Sequence, residues 1–404
     1  MTVVAVDNVN IVAREARHVL QTYKRNPVTL VRGQGVRLFD ADGREYIDLL
    51  SGIGVAAIGH AHPGLARAIA DQAQTLIHTS NLFYHPLQGE LAERLATLSG
   101  LPRAFFCNSG TEAVEACLKF ARRYWFTKGA PRREFIALDE SFHGRTFGSL
   151  SVTSDPHYRE PFEPLLPTVT FVKTNDPAAL AAAVSSSTAA IIAESVLGEG
   201  GIKPLTPAFV AAIKDACAKT GALFIADEIQ SGLGRTGSPF HFQALGLTPH
   251  LVAVGKALGG GVPIGAVLIS QDVADTIKYG DHGTTYGGNL LACRAALFVL
   301  GEIFDRGGAE NVKKVGAVFK ARLDAMAAKH TIVKEVRGSG LMWGVELHRD
   351  AAPVVPAGLA QGVIVNRTAE TVVRLLPPLV ITEAEADEGL GRLDAALGVV
   401  GAQA

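Results

Sequence analysis

Short apolar runs alternate with amphipathic segments along the chain from about residue 64 onward. Runs of this length that end near glycine or polar residues are typical of strands buried in a parallel sheet. The alternation therefore predicts βαβ units and a mainly parallel sheet flanked by helices. The predicted strands span residues 103–107, 135–138, 169–172, 189–193, 223–226, 251–254 and 266–269. A connecting helix is predicted between Thr206, its N-cap, and Gly221, just past its end.

The two ends of the chain show a different pattern. Residues 29–50 alternate as short antiparallel strands, with Asp42 and Gly43 forming a tight turn. After residue 290 come long helices, then strands within 333–347 and 372–381, and a closing helix. We therefore expect a large α/β domain over 54–289 and a smaller α+β domain made of 1–53 plus 290–404.

Composition narrows the class of protein. The chain has 404 residues, 48% of them hydrophobic. Its net charge of -1 provides no excess of positive charge for binding nucleic acid or acidic membranes. The four cysteines lack C-x-x-C spacing, so free thiols are favoured over disulfides, and no metal site is expected. No apolar stretch reaches the roughly 18 residues of a membrane span, so a cytoplasmic protein with small-molecule partners is expected.

Lys256 follows the apolar run 251–254, and Asp227 follows the run 223–226. Because the carboxyl ends of parallel strands meet at one edge of a sheet, both side chains are expected there. An amine in a partly dry pocket forms Schiff bases with carbonyl compounds, and a carboxylate against a pyridinium nitrogen is its usual companion when the carbonyl belongs to pyridoxal phosphate. A buried structural Lys–Asp ion pair is the alternative for these two residues alone.

The run 103–107 leads into Ser109, Gly110, Thr111 and Glu112, a helix start with a Ser-x-x-Glu capping box. Free N–H groups and the helix dipole at such a start suit a phosphate monoester. An ordinary capped helix is the alternative. Dinucleotides and nucleoside triphosphates fit less well, because the chain lacks a G-x-G-x-x-G after a strand and Lys256 does not match a phosphate-loop pattern.

Two further segments carry candidate side chains at the same edge. Phe142 could lie flat against a planar ring, and Arg145 could bind a carboxylate bidentately. Glu194 and Glu199 follow the run 189–193, with glycines around Glu199 that allow close backbone approach. Taken singly, core packing for Phe142 and a surface ion pair for Arg145 are the simpler interpretations.

Together these segments resemble the class III pyridoxal-phosphate aminotransferases of fold type I, the group with ornithine, acetylornithine and 4-aminobutyrate aminotransferases. The resemblance covers nearly the whole chain. The most specific segments are 106–113, 142–146, 227–237, 255–261, 282–289 and 336–342.

The resemblance implies a role for each matching residue. Lys256 should join the cofactor covalently and move the proton, while Asp227 should keep the pyridine nitrogen protonated. Thr284 and Thr285 should reach across a homodimer interface, with Thr285 at the phosphate of the neighbouring protomer's cofactor. The other implied cofactor-binding residues are Ser109, Gly110 and Thr111 at the phosphate, Phe142 on the ring, Gln230 at the phenolic oxygen, and Glu228 and Ile229 beside it.

The implied substrate-binding residues are Tyr23, Arg145, Glu199, Thr284 and Arg374. Arg145 resembles the arginine that binds the substrate carboxylate remote from the reacting amine. Glu199 and Arg374 resemble a switch pair, in which the carboxylate masks the arginine while an ω-amino substrate binds and then releases it to bind the α-carboxylate of glutamate. Masking is needed because an exposed arginine would disfavour an uncharged substrate end in the same pocket.

Within the family, segments 142–145 and 256–266 are most similar to those of acetylornithine aminotransferases. Ile53 stands where ornithine aminotransferases use a tyrosine, which argues against ornithine. The expected reaction moves the ω-amino group of N-acetylornithine to 2-oxoglutarate, giving N-acetylglutamate semialdehyde and glutamate in arginine biosynthesis. Ser195 and Leu197 depart from the Pro and Gln common in relatives, which affects the surroundings of Glu199.

Other reactions of the same fold stay open from the sequence. The alternatives are aminotransferases of lysine biosynthesis that act on succinyl-diaminopimelate or carrier-linked aminoadipate semialdehyde, 4-aminobutyrate or ornithine aminotransferases, and an aminomutase of the glutamate-semialdehyde type.

Overall fold

The computed structural model describes residues 8–402. The strands are β1 Leu30–Gln34, β2 Arg37–Asp40, β3 Glu45–Asp48, β4 Arg103–Cys107, β5 Glu134–Leu138, β6 Val169–Val172, β7 Thr188–Glu194, β8 Val196–Leu197, β9 Lys203–Pro204, β10 Leu223–Asp227, β11 Leu251–Val254, β12 Gly265–Ile269, β13 Val333–Ser339, β14 Met342–Leu347, β15 Val363–Ile364, β16 Asn366–Thr368 and β17 Val372–Leu375.

The α-helices are α1 Asn8–His18, α2 Ser51–Gly54, α3 Pro63–Thr75, α4 Pro86–Ser99, α5 Gly110–Thr127, α6 Phe147–Ser151, α7 Pro156–Arg159, α8 Pro177–Ala183, α9 Pro207–Thr220, α10 His241–Ala244, α11 Gln271–Ala274, α12 Leu290–Phe304, α13 Gly308–Lys329, α14 Val354–Ala360 and α15 Glu383–Gly401. Short 3₁₀ helices span Glu160–Phe162 and Lys256–Gly259. None of the helices in the described chain is long and apolar enough to cross a membrane.

All seven predicted central strands form one sheet, in the order β4-β12-β11-β10-β7-β5-β6. Strand β12 runs antiparallel to both of its neighbours, and the other pairs are parallel. The expected mainly parallel sheet is therefore confirmed. Alternate residues of β7 face different hydrophobic clusters, with Ile191 in one and Ile192 in the other. Both faces of the sheet are covered, which explains why its strands are continuously apolar.

The predicted connecting helix is also confirmed. The Thr206 hydroxyl accepts a hydrogen bond from the Phe209 amide, and Gly221 ends α9 in the left-handed region at φ 74. Only one of the two hydrogen bonds of the capping box predicted at the start of α5 is formed. Ser109 does accept from the Glu112 amide, but the Glu112 carboxylate accepts from the Asn108 amide at 2.5 Å instead of turning back to Ser109.

Two smaller sheets are built from the ends of the chain, and the first of them combines segments from both ends. The predicted antiparallel strands β1, β2 and β3 pair in sequence, and β15 joins β3 in parallel. Strands β13, β14, β17 and β16 form the other sheet. The strand predicted over 372–381 ends at Leu375, because Pro377 and Pro378 cannot continue the pairing. The predicted domain boundaries at 53/54 and 289/290 stay a prediction.

Candidate active site

A cavity of about 280 Å³ opens at the carboxyl edge of the central sheet. It is lined by Gly110, Thr111, Phe142, His143, Gly144, Arg145, Glu194, Glu199, Asp227, Ile229, Gln230 and Lys256. These residues lie at or just after the carboxyl ends of strands β4, β5, β7, β10 and β11, except Glu199, which follows the short strand β8. The sheet therefore brings together at one edge most of the side chains that the sequence singled out.

Lys256 begins the short 3₁₀ turn after β11, with a backbone φ of 38 that only a tightly held non-glycine residue adopts. Burial lowers the pKa of its ammonium group below the ordinary value, although the nearby carboxylates of Glu199 and Asp227 oppose that shift. A lysine held in this way reaches its uncharged, nucleophilic form more readily than a solvated one.

Asp227 is held in place from two sides. One carboxylate oxygen, Oδ2, lies 2.7 Å from Nδ1 of His143, and the other accepts a hydrogen bond from the Ile229 amide at 3.1 Å. His143 and Asp227 are both buried. The second ring nitrogen of His143, Nε2, is buried without a hydrogen-bond partner in the described chain, and such a group usually has a partner in the functional state.

Glu194 is a second buried acid on the cavity wall. Its carboxylate accepts hydrogen bonds from the backbone amides of Phe142 at 2.9 Å and Gly198 at 2.8 Å. Burial nevertheless raises the pKa of Glu194 to about 7, against the opposing effect of His143. This carboxyl group therefore titrates close to neutral pH and ties two cavity loops together.

The N-terminus of helix α5 forms one end of the cavity. A Cβ on Gly110 would lie 2.8 Å from the Ile229 side chain, so a larger residue there would force that side chain to shift. The Thr111 hydroxyl lies 2.6 Å from the Ser149 hydroxyl and accepts a hydrogen bond from the Arg145 amide. The backbone amides of the first helical turn are thus the main donors that an anion at this end would meet.

Glu199 and Arg374 form an ion pair at the side of the cavity, with Glu199 Oε1 2.5 Å from Arg374 Nη1. Arg374, on β17, also donates to Asn366 Oδ1 at 3.2 Å and lies 3.4 Å from Gln230 Oε1. Burial raises the pKa of Glu199, but the charge and hydrogen bond of Arg374, together with Lys256 and Thr368, outweigh it and hold that pKa below its ordinary value. The arginine is almost fully buried, while 37% of the Glu199 side chain is exposed.

Some predicted site residues lie outside the cavity lining. The Glu228 carboxylate points away and accepts from Ser195, Ser231 and the amides of His241 and Phe242. The Ser109 hydroxyl caps α5. Tyr23 is 76% exposed, Thr285 is exposed, and Thr284 lines a separate cavity with Asn81 and His85. The binding roles of these residues stay predictions.

The three positions at which this chain departs from relatives, Ser195, Leu197 and Ile53, each make defined contacts in the structure. Ser195 donates to the buried Glu228 carboxylate at 2.9 Å, and Leu197 packs fully buried in the hydrophobic core. Ile53 packs against an apolar cluster of Val196, Ile202, Met342 and Leu376. None of the three places a polar group beside Glu199.

Sequence reasoning assigned no role to His143, although it lies within the segment that includes Phe142 and Arg145. Its partnership with Asp227 joins residues 84 positions apart, so only the fold reveals it. The sequence predicts Glu194 as an acid at this edge of the sheet, but neither its burial nor its two backbone donors could be predicted from sequence.

The arrangement fits pyridoxal phosphate. The helix N-terminus and the glycine at its start suit a phosphate, the buried and oriented Asp227 suits a pyridinium nitrogen, and the Lys256 amine suits the carbonyl. The buried His143 ring supports the acid that would face the ring nitrogen. The fold and the site together define a pyridoxal-phosphate-dependent enzyme of fold type I.

Comparisons with known proteins support this class of enzyme. The family model described as Aminotransferase class-III matches residues 19–397. The acetylornithine aminotransferase of Methanocaldococcus jannaschii is 45% identical over 94% of this chain and 96% of its own length. The chain belongs to the class III aminotransferases, and its cofactor is pyridoxal phosphate.

Solved structures show the same architecture. An ornithine aminotransferase from Toxoplasma gondii, described with partial occupancy of pyridoxal phosphate at its active site, superposes with a TM-score of 0.95 at 32% identity, covering 99% of this chain and 96% of that one. The N-acetylornithine aminotransferase of Stenotrophomonas maltophilia has a TM-score of 0.83 at 34% identity, covering 97% of this chain and all of the other.

Proposed function

We propose that this enzyme transfers the ω-amino group of N-acetylornithine to 2-oxoglutarate, producing N-acetylglutamate semialdehyde and glutamate, in the cytoplasm. The observation that carries the proposal is the Glu199–Arg374 ion pair beside the Lys256 amine. Such a pair suits an enzyme that must accept an uncharged amine-bearing end and a carboxylate in one pocket. The names of the similar aminotransferases support this choice of substrate.

When bound, pyridoxal phosphate supplies a carbonyl that takes up the amino group and a ring that stabilises negative charge. The residues that would hold it are Gly110 and Thr111 at the phosphate, Phe142 on the ring face, Asp227 at the ring nitrogen and Gln230 at the phenolic oxygen. Each is on the cavity wall.

Two groups of the protein control protons in this reaction. Because its pKa is lowered, the Lys256 amine accepts the proton that leaves the reacting carbon and later returns it. Asp227, oriented by His143 and the Ile229 amide, keeps a proton on the ring nitrogen. Asp227 is buried, which limits the access of water to its carboxylate.

Arg145 is the group proposed to bind the substrate carboxylate remote from the amine. It lies on the cavity wall, is exposed, and makes no ion pair within residues 8–402. Ile53 supports an acylated donor over free ornithine, because its apolar side chain offers no partner for a free α-amine.

We further infer that the enzyme is a homodimer with shared sites. Large apolar side chains are exposed in the loop of residues 82–84 and at Tyr286, and Asn81 links that loop to the Thr284 and Gly287 carbonyls. An exposed apolar patch of this kind marks an interaction surface. Thr284 and Thr285 lie on it, where a partner's cofactor could meet them.

Single-turnover spectroscopy of the cofactor-loaded enzyme tests the substrate. N-acetylornithine, ornithine, 4-aminobutyrate and glutamate are each mixed with it, and the absorbance of the bound cofactor is followed. Rapid change with N-acetylornithine and glutamate, and slow change with the other two, is expected. A response to glutamate alone would contradict the proposal and favour a carrier-linked lysine-pathway donor. Turnover without added 2-oxoglutarate would indicate an aminomutase.

A further inference from the structure

Tyr158 lies directly against the arginine that the proposed function assigns to the substrate carboxylate. The Arg145 guanidinium carbon lies 3.5 Å from the centre of the Tyr158 ring, and 5.6 Å from the centre of the Phe142 ring. The two rings meet edge to face, with centroids 6.5 Å apart and planes at 86°. Arg145 thus lies between two aromatic rings: that of Phe142, which lines the cavity, and that of Tyr158, which does not.

Stacking is the main contact that fixes this guanidinium. Within residues 8–402 the Arg145 side chain makes no ion pair and no side-chain hydrogen bond. The residue is exposed, so its guanidinium is open to solvent. An arginine that stacks on a ring face keeps its N–H groups free at the edges of its plane, where a carboxylate can bind bidentately. Without the ring, a long exposed side chain would sample many rotamers.

The segment that carries Tyr158 is itself anchored. It belongs to helix α7, whose N-cap Asp155 accepts a hydrogen bond from the His157 amide. The next residue, Arg159, stacks on the Phe171 ring of strand β6, with its guanidinium carbon 4.4 Å from the ring centre. These contacts anchor the short helix that carries Tyr158 to strand β6.

We propose that Tyr158 is a positioning residue that pre-orients Arg145 for the carboxylate shared by both substrates, and so sets the affinity for carboxylate-bearing donors. The inference rests on the proposed function for the role of Arg145 at the substrate carboxylate and for the identity of the amino donor. Tyr158 touches no reacting atom, so its effect should lie in substrate binding and not in the rate of the chemical step.

The test compares Tyr158→Leu with Tyr158→Phe in the holoenzyme. The Tyr158 hydroxyl makes no hydrogen bond in the described chain, so the Phe variant keeps the ring and is the matched control. We expect Tyr158→Leu to raise KM about tenfold for N-acetylornithine and for glutamate while kcat changes little, and Tyr158→Phe to stay within about twofold of wild type.

A double-mutant cycle separates positioning from general loss of structure. In an Arg145→Ala background, Tyr158→Leu should cause little further rise in KM, because the partner that it positions is already absent. Additive losses, or equal losses in the Leu and Phe variants, would overturn the inference.

The same experiment distinguishes a failure of the inference from a failure of the proposed function. If wild type does not use N-acetylornithine, the donor assignment fails, yet the cycle measured with glutamate still tests Tyr158. If wild type uses N-acetylornithine but Tyr158→Leu leaves KM unchanged, the inference fails and the function stands.

Discussion

The Glu199 carboxylate covers Arg374 at 2.5 Å, so the buried guanidinium is already neutralised when no substrate carboxylate is present. The pair joins the loop after β8 to strand β17, which are 175 residues apart in the chain. Because Glu199 is partly exposed and Arg374 is not, the carboxylate is the partner that is free to move away.

Replacing Glu199 with Gln should affect the two half-reactions unequally. The amide cannot neutralise Arg374, so the uncharged end of the ω-amino donor meets an unmasked charge, while glutamate still finds its partner. We expect the rate with N-acetylornithine to fall roughly tenfold more than the rate with glutamate, a difference of ~1.4 kcal/mol. Single-turnover absorbance measures both. Glu388→Gln, which removes a carboxylate paired with Arg37 outside the cavity, is the control, and equal losses would refute the switch.

Arg145→Ala should weaken both half-reactions. The proposed charge-assisted contacts are lost to each substrate, so KM should rise about 10- to 100-fold for N-acetylornithine and for 2-oxoglutarate. Steady-state kinetics with each substrate varied in turn provides the measurement. Arg133→Ala, which removes an exposed arginine outside the cavity, should leave both values unchanged. A loss confined to one substrate would contradict the assignment.

The raised pKa of Glu194 predicts a stability that depends on pH. Its carboxyl binds a proton more tightly in the folded chain, with a pKa of about 7 against an ordinary 4.5. Its stabilising contribution is therefore complete below pH 4.5 and is lost as the pH rises towards 7.

Glu194→Gln should consequently become more stable relative to wild type as the pH rises from 5 to 8. Denaturant unfolding of the cofactor-free protein at several pH values measures this, with the exposed Glu140→Gln as control. A constant cost is expected in addition, because the Gln NH₂ replaces one of the two carboxylate oxygens and therefore faces one of the two backbone donors, Phe142 or Gly198. A difference in unfolding free energy that does not vary with pH would show that Glu194 does not titrate in this range.

Mixing two inactive variants tests the shared sites. In a dimer of one Lys256→Ala and one Thr285→Ala subunit, one site lacks both residues and the other is complete if Thr285 acts across the interface. Random mixing should then give roughly a quarter of wild-type activity, since half of the dimers are mixed and each has one intact site. If mixing does not raise activity above that of the separate variants, Thr285 acts in its own subunit's site; full activity of Thr285→Ala alone would place Thr285 outside any site.

The sequence by itself determined the elements and their order. Apolar periodicity and turn residues act over a few positions, so the seven central strands, helix α9 and the hairpin at Gly43 could be predicted closely. Lys256 and Asp227 could be placed at one edge, because residues after parallel strands must meet there. The reversed direction of β12 could not be predicted, since an apolar run carries no direction.

Only the tertiary structure decided which side chains touch. The contact of His143 with Asp227, the masking of Arg374 by Glu199, and the stacking of Tyr158 on Arg145 all join residues from different elements. It also turned the Glu228 carboxylate away from the cavity. These outcomes depend on how helices and sheets pack, and a local pattern of hydrophobic and polar residues does not encode the distances that packing creates.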